Sequence, residues 1–139
     1  LQRVYADPRF ARLIAPTAGL QVTTSPSQLT SLRLALDQSV RETAEPAASG
    51  RLVTSLSARV DHELRRDLLA GLEASYADND YRGLGRRDGQ ASVGLNLTYL
   101  ASRHLHARLS VRHDRRSSNV ASARTFRRNR IEVGVEVRY

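Results

Sequence analysis

The last eleven residues constrain this chain most. Ile131, Val133, Val135, Val137 and Tyr139 alternate without a fault with Arg130, Glu132, Gly134, Glu136 and Arg138. Successive side chains of an extended chain leave opposite faces, so a period of two means a strand with one apolar and one charged face. Terminal strands of outer-membrane β-barrels commonly end this way, on an aromatic ring. The question for the rest of the sequence is whether its other strands agree.

They do, with increasing clarity along the chain. Leu1 to Pro16 shows no clean alternation, and Tyr5–Phe10 reads as a loop because Pro8 disfavours helix before it. Ala18, Leu20 and Val22 mark a first strand. Ser25–Gln28 is a turn by composition. Leu32, Leu34, Leu36 and Val40 mark a second strand, in which Gln38 falls on the apolar side. Glu42–Gly50 reads as a loop. A third strand sets Leu52, Thr54, Leu56, Ala58, Val60 and His62 against Ser55, Ser57, Arg59, Asp61 and Glu63. After a short turn at Leu64–Asp67, Leu68, Ala70, Leu72, Ala74 and Tyr76 oppose Leu69, Gly71, Glu73, Ser75 and Ala77. Asp78–Gly89 reads as a long polar loop. Ala91, Val93, Leu95, Leu97 and Tyr99 then oppose Gln90, Ser92, Gly94, Asn96 and Thr98. Leu105, Ala107, Leu109, Val111 and His113 oppose His106, Arg108, Ser110, Arg112 and Asp114, and Arg115–Arg128 reads as a second long loop. Helix competes over Arg51–Ala77, which is rich in helix formers, but a helix would mix the two sets around its surface.

The predicted fold is therefore all-β: an antiparallel up-and-down transmembrane β-barrel, one domain over 1–139. About seven strands are visible, of the 9–11 residues a tilted membrane strand needs. Bacterial single-chain barrels have even strand numbers. The seven are accordingly expected to form the C-terminal part of a larger barrel whose signal peptide and first strands are absent. No stretch approaches the roughly 20 apolar residues of a spanning helix. There is no cysteine, so disulfide and thiol chemistry are excluded.

Alternation alone does not say which face meets lipid. No position on the apolar face of the last five strands is Asp, Glu or Arg, although charged residues make up 26% of the chain. A soluble core would exclude charge equally. Three further features favour lipid. Short turns alternate with long loops, as in bacterial barrels. Phe10 and Phe126 both lie in loops, leaving Leu, Val and Ala on the apolar face where a soluble core would use aromatics for volume. Tyr76, Tyr99 and Tyr139 sit at strand ends, as interface aromatics do. The expected lipid-facing residues are Leu56, Val60, Leu72, Val93, Leu95, Leu97, Leu109, Val111, Val133, Val135 and Val137. The expected pore-lining residues are Arg33, Asp37, Arg59, Asp61, Glu63, Glu73, Asn96, Arg108, Arg112, Asp114, Arg130, Glu132, Glu136 and Arg138. With Arg41 and Arg51, that face is nearly neutral.

Several short elements, in order, resemble one family. Tyr5-Ala6-Asp7-Pro8-Arg9-Phe10 is similar to its Tyr-Asp-Asp-Pro-Arg-Phe loop, departing at Ala6. Leu29-Thr30, Arg41-Glu42-Thr43, Asp61-His62-Glu63-Leu64, Asp80-Tyr81-Arg82-Gly83 with Arg87-Asp88, and Arg116-Ser117-Ser118 with Asn129 also match. The chain thus resembles the type 2 β-barrel porins of proteobacterial outer membranes. The resemblance implies an outer-membrane barrel, often associated with surface polysaccharide production, and carries over no catalytic residue.

The candidate chemistry is sparse. In Asp61-His62 and His113-Asp114, neighbours on a strand face opposite sides and cannot pair. His106 and Ser110 share a face but lie four residues apart, beyond hydrogen-bond reach. Four His and no Cys give no zinc spacing. Asp78-Asn79-Asp80 lacks the full calcium-loop pattern, and Gly83-Leu84-Gly85 lacks the context of a phosphate loop. No enzyme activity and no cofactor are expected.

The formal charge is +8, and all 22 basic residues are Arg. Much of the excess falls on Arg115, Arg116, Arg124, Arg127 and Arg128, which is expected to contact an anionic glycan or lipid, since guanidinium grips phosphate and carboxylate bidentately. No basic helix or aromatic platform points to nucleic acid. The expected partners are outer-membrane lipid, lipopolysaccharide, anionic polysaccharide and, through the C-terminal strand, the barrel-assembly machinery. The expected function is a porin-like pore or conduit in the bacterial outer membrane, for small solutes or for polysaccharide export. The alternatives are a non-conducting structural or glycan- or lipid-binding barrel, and a soluble barrel holding an apolar ligand.

Overall fold

The computed structural model describes residues 2–3, 13–14, 17–42, 50–121 and 123–137. The expected loop at Tyr5–Phe10, together with Arg138 and Tyr139, lies outside the described residues. Two short strands, β1 (Gln2–Arg3) and β2 (Leu13–Ile14), pair with each other. The rest is a seven-stranded sheet: β3 (Ala18–Ser27), β4 (Thr30–Arg41), β5 (Gly50–Arg65), β6 (Leu68–Arg82), β7 (Arg86–Leu100), β8 (Leu105–Ser118) and β9 (Phe126–Val137). Each strand pairs antiparallel with the next, in sequence order. The sheet is open: β3 and β9 are its two edges and do not pair with each other. Among the described residues no helix is long and apolar enough to cross a membrane, which says nothing about strands.

Register carries the alternation from strand to strand. One continuous row is Leu20, Leu36, Leu56, Tyr76, Ala91; another is Leu32, Val60, Leu72, Leu95, Val111, Ile131. On the opposite face run Arg33, Arg59, Glu73, Gly94, Arg112, Arg130 and Ser31, Asp61, Gly71, Asn96, Ser110, Glu132. A slip of one residue at any seam would turn a whole strand over; no seam has one inside these rows. The apolar and polar sets therefore occupy two faces of one layer.

The exposure of those faces is inverted relative to a soluble protein. Leu72, Tyr76, Val93, Leu95, Leu109 and Val111 are exposed, and Val133 reaches 78%. On the polar face Gly71 and Gly94 are buried, and Glu73, Asn96, Ser110, Arg112 and Asp114 are half-buried. No helix or second sheet of comparable size lies among the described residues to cover the apolar face.

Four strand ends differ from the sequence-based expectation. Asp78–Gly89 is not a long loop: β6 runs on to Arg82, β7 begins at Arg86, and a tight turn over 83–85 joins them. Likewise β8 continues to Ser118 and β9 begins at Phe126, so Arg115, Arg116, Arg127 and Arg128 are strand residues and Phe126 is no loop residue. Polar side chains past Tyr76 broke the apolar repeat, while backbone pairing does not need an apolar face to continue. At Leu64 the register shifts, and this extra residue is an exposed bulge. The alternation of short and long loops accordingly fails at the β6–β7 connection.

The turn at 83–85 depends on two glycines in the left-handed region, Gly83 at φ 97° and Gly85 at φ 61°. The Leu84 amide donates to the Tyr81 carbonyl at 3.3 Å. Asn119 ties the next connection to it, accepting from the Arg87 amide at 2.7 Å and donating to the Gly85 carbonyl at 2.9 Å. An L side chain costs about 1–2 kcal/mol in this conformation, Asn less than others. Gly83→Ala should therefore destabilise the folded protein by about that amount, and Gly85→Asn should cost less than Gly85→Val, as measured by urea unfolding in vesicles.

Candidate functional site

The polar face is a wall of charges, built by residues that period two sends to one side. Its central feature is a run of ion pairs across four strands. Arg59 on β5 reaches Glu73 on β6 at 3.6 Å. Glu73 in turn pairs with Arg112 on β8, passing over β7. The strand it crosses carries Gly94 at that row. A Cβ on Gly94 would stand 3.0 Å from the Glu73 Cγ, so the missing side chain is what lets Glu73 lie across. Gly71 plays the same part beside Arg59 and Asp61. These two form a two-pronged pair, with Nε–Oδ2 at 2.8 Å and Nη2–Oδ1 at 2.9 Å, and a Cβ on Gly71 would come within 2.8 Å of Oδ1.

Further pairs continue the wall toward the β9 edge. Arg108 meets Glu136 at 2.7 Å, Arg128 meets Asp114 at 2.9 Å, and Arg130 meets Glu132 at 3.6 Å. Most of these guanidiniums are about half exposed, so each pair contributes roughly 0–1 kcal/mol. Their combined effect is to fix side chains across the polar face. Open depressions of about 690 and 260 Å³ lie on this face, lined among others by Arg59, Asp61, Gly71 and Asn96, and by Arg33, Glu73 and Arg112.

A second cluster sits at the end of the sheet that carries the 83–85 turn. Asp88 is fully buried. Its Oδ2 accepts from Arg86 at 2.8 Å and from Arg116 at 2.7 Å, and Arg86 also donates from Nε to Oδ1 at 3.1 Å. Arg86 stacks over the Tyr81 ring at 4.6 Å. The Asn79 amide donates to the Asp88 carbonyl at 3.3 Å. Val53, Asn79 and Tyr81 are buried beside it. Burial by itself would raise the Asp88 carboxyl; hydrogen bonds from Arg86, Ser118 and Arg116 more than offset that and hold it far below the ordinary carboxylate range. The sequence reading missed this cluster because it placed Asp78–Gly89 in a loop. The available signal was the continued alternation Asn79, Tyr81 and Arg86, Asp88 around Gly83 and Gly85.

The expected site residues divide by face. Arg33, Asp37, Arg59, Asp61, Glu63, Glu73, Asn96, Arg108, Arg112, Asp114, Arg130, Glu132 and Glu136 share the polar face. Leu56, Val60, Leu72, Val93, Leu95, Leu97, Leu109, Val111, Val133, Val135 and Val137 share the other, with Tyr76 and Tyr99. The five arginines expected in one loop are dispersed. Arg116 and Arg128 are on the polar face against Asp88 and Asp114. Arg115 and Arg127 are on the apolar face, directly opposite each other, and Arg124 lies in the connection. The Asp–His neighbours do not pair. His62 Nδ1 lies 2.8 Å from Thr30 Oγ1, and His113 Nδ1 lies 2.6 Å from Asn129 Oδ1.

The apolar face is a band that crosses the strands obliquely. On β3 it consists of Leu20 and Val22, level with Ala91 and Val93 of β7. On β9 it runs from Ile131, level with Leu95, past Val135, level with Tyr99. Its centre thus moves about six residues along the strands over six inter-strand steps, which at 3.3 Å per residue and 4.8 Å per strand is a slope of roughly 35°. Strands in closed membrane barrels tilt by about 35–45°. The two His bridges mark the limits of the band: Thr30–His62 lies past Leu32 and Val60 at one limit, and His113–Asn129 lies past Val111 and Ile131 at the other.

Compared with known proteins, residues 1–139 match the model of one family, described as Putative beta-barrel porin 2. No curated protein and no solved structure matches the chain.

Two outcomes follow for the wall. Gly94→Val should push Glu73 off Arg112; a double-mutant cycle between Glu73→Gln and Arg112→Gln should then show no coupling in the valine background and a measurable one in the parent. Asp88→Asn removes a fully buried carboxylate from between two half-buried guanidiniums and should cost about 3 kcal/mol of unfolding free energy at neutral pH. Because the folded carboxyl lies below its unfolded value, that difference should persist at pH 5 and shrink only as the pH falls below about 4.

Proposed function

Since the chain belongs to the family described as Putative beta-barrel porin 2, we propose that its seven strands are part of the wall of an outer-membrane barrel that admits small polar solutes. The observation that carries this is the pairing of an oblique apolar band on one face with a hydrated, charged ladder on the other. Lipid accepts the first, and a water-filled lumen accepts the second. A membrane leaves no backbone group unpaired without a cost of several kcal/mol, so the open edges β3 and β9 need partners. Seven consecutive antiparallel strands leave both edges running the same way. An odd number of further strands therefore closes the wall with antiparallel pairs throughout.

In this reading the 83–85 turn faces outward from the cell, and β6 and β7 project past the band with the Asp88 cluster at the mouth. Tyr76 and Tyr99 lie at the two limits of the band, with the Tyr76 hydroxyl over Gly89, where rings meet headgroups. The lumen carries both signs of charge, which suits small zwitterionic or neutral polar solutes better than a strongly selected ion. Passage of surface polysaccharide is the finer form of the same proposal.

One observation favours a second reading. The Arg59–Glu73–Arg112 ladder joins three strands and crosses a fourth through mutually satisfied charges, which would equally brace a barrel that does not conduct. Conductance decides between them. The full-length protein in planar bilayers should give unitary steps, and Arg59→Glu with Arg112→Glu should shift their ion preference toward cations. Silent bilayers containing folded protein would leave the bracing role. Independently, Leu95→Arg should cost about 2–4 kcal/mol at mid-bilayer and suppress the heat-dependent gel shift of the folded barrel; an unaffected shift would contradict the outward apolar face.

A further inference from the structure

Two of the expected loop arginines end up where no carboxylate of the described residues reaches them. Arg115 on β8 and Arg127 on β9 are direct cross-strand partners. Both are exposed and both stand on the apolar face. Facing residues of an antiparallel pair have Cβ atoms only about 4.5–5.5 Å apart, where like charges repel. The four acids at this end of the sheet are engaged elsewhere, Asp80 lying toward Arg82 at 3.4 Å. Asp88 and Asp114 hold Arg116 and Arg128 on the opposite face, and Asp78 lies toward Arg87 at 3.5 Å. Beside Arg115 on β7 is Ala91, too small to cover it. The pair thus presents two guanidinium forks, with no anion of the protein between them among the described residues.

Their height relative to the apolar band is the second observation. Going up β8 and β9, the facing pairs are Leu109–Val133, Val111–Ile131, His113–Asn129 and Arg115–Arg127. Aliphatic pairs give way to one hydrogen-bonded polar pair and then to two charges. Arg115 and Arg127 lie four residues beyond the last aliphatic pair, roughly 10 Å along the normal of a membrane crossed at the slope above. The headgroup layer of a bilayer occupies the first several ångströms outside the hydrocarbon, and a long arginine bends toward it.

We propose that Arg115 and Arg127 form a clamp for the phosphate of a membrane lipid seated against the outer surface of β8–β9. Two forks on one phosphate convert the repulsion between them into four or more charge-assisted hydrogen bonds. The occupant is a lipid phosphate, because below the arginines, past the single His113–Asn129 pair, the aliphatic pairs Val111–Ile131 and Leu109–Val133 offer its acyl chains a track. This rests on the outward orientation proposed above.

The test uses the full-length protein folded into phosphatidylcholine vesicles containing diphosphoryl lipid A, then extracted into mild detergent, with bound lipid A counted by native mass spectrometry. The parent should retain lipid A. Arg115→Gln/Arg127→Gln should retain about tenfold less or below, each single variant an intermediate amount, and Arg124→Gln as much as the parent. Lipid A stripped of its phosphates should be retained no better by the parent than by the double variant, and excess inorganic phosphate should not displace the intact lipid. A double variant that floats with the vesicles, shows the heat-dependent gel shift and holds as much lipid A as the parent overturns the clamp while leaving the membrane reading intact. Displacement by inorganic phosphate overturns the choice of a lipid. A parent protein that does not float with vesicles overturns the membrane reading and the clamp with it. Should the double variant not fold, the single variants decide: equal retention by both and the parent overturns the clamp.

Discussion

Everything in this structure depends on register. A single-layer sheet keeps its two faces chemically distinct only if every seam pairs apolar with apolar and polar with polar, because one residue of slip reverses a strand. Six seams in succession meet that condition here through the apolar band and the polar rows behind it. Neither an apolar core nor a second layer among the described residues enforces it. Backbone pairing, short turns and the charges on one face do so instead. That is an unusual division of labour for a soluble protein and the expected one where hydrocarbon replaces the core.

The polar face then becomes the place where specificity is built. Its ion pairs are worth little one by one, yet one of them connects strands that are not neighbours. Glu73 reaches Arg112 across a strand that has no side chain there, and the absence at Gly94 is as much a part of the contact as the two charges. At the end of the sheet beyond the apolar band the arrangement changes character. Asp88 is buried between Arg86 and Arg116, so it ties β7 to β8 through a charge that water does not reach. The wall is thus braced loosely where it is broad and tightly at its rim.

Much of this was legible in the sequence, for a simple reason. Period two is a local property, and β5 to β9 display it wherever one side of the strand is aliphatic. The faces of Leu72 and Glu73, or of Val133 and Glu132, need no coordinates. The strand ends were not legible, because past Tyr76 both faces are polar: Asp78, Asn79 and Asp80 look like a loop to any reading based on hydropathy. The error removed the Asp88 cluster from view and merged five arginines into one loop that the strands in fact divide between two faces. Nor could the sequence show that Gly71 and Gly94 sit under salt bridges, since that follows only from the pairing of three strands. The oblique course of the apolar band is of the same kind, being a property of register and not of any one strand.

The central claim is that the aliphatic face meets hydrocarbon and the ionic face meets water. It is tested most directly by placing a fluorophore on single cysteines at Val133 and at Glu132, adjacent positions on β9, in the full-length protein reconstituted in vesicles. A quencher dissolved in the acyl chains should extinguish the label at 133 and spare the label at 132, while a water-soluble quencher should do the reverse. Quenching from water at 133 together with protection at 132 would contradict the account.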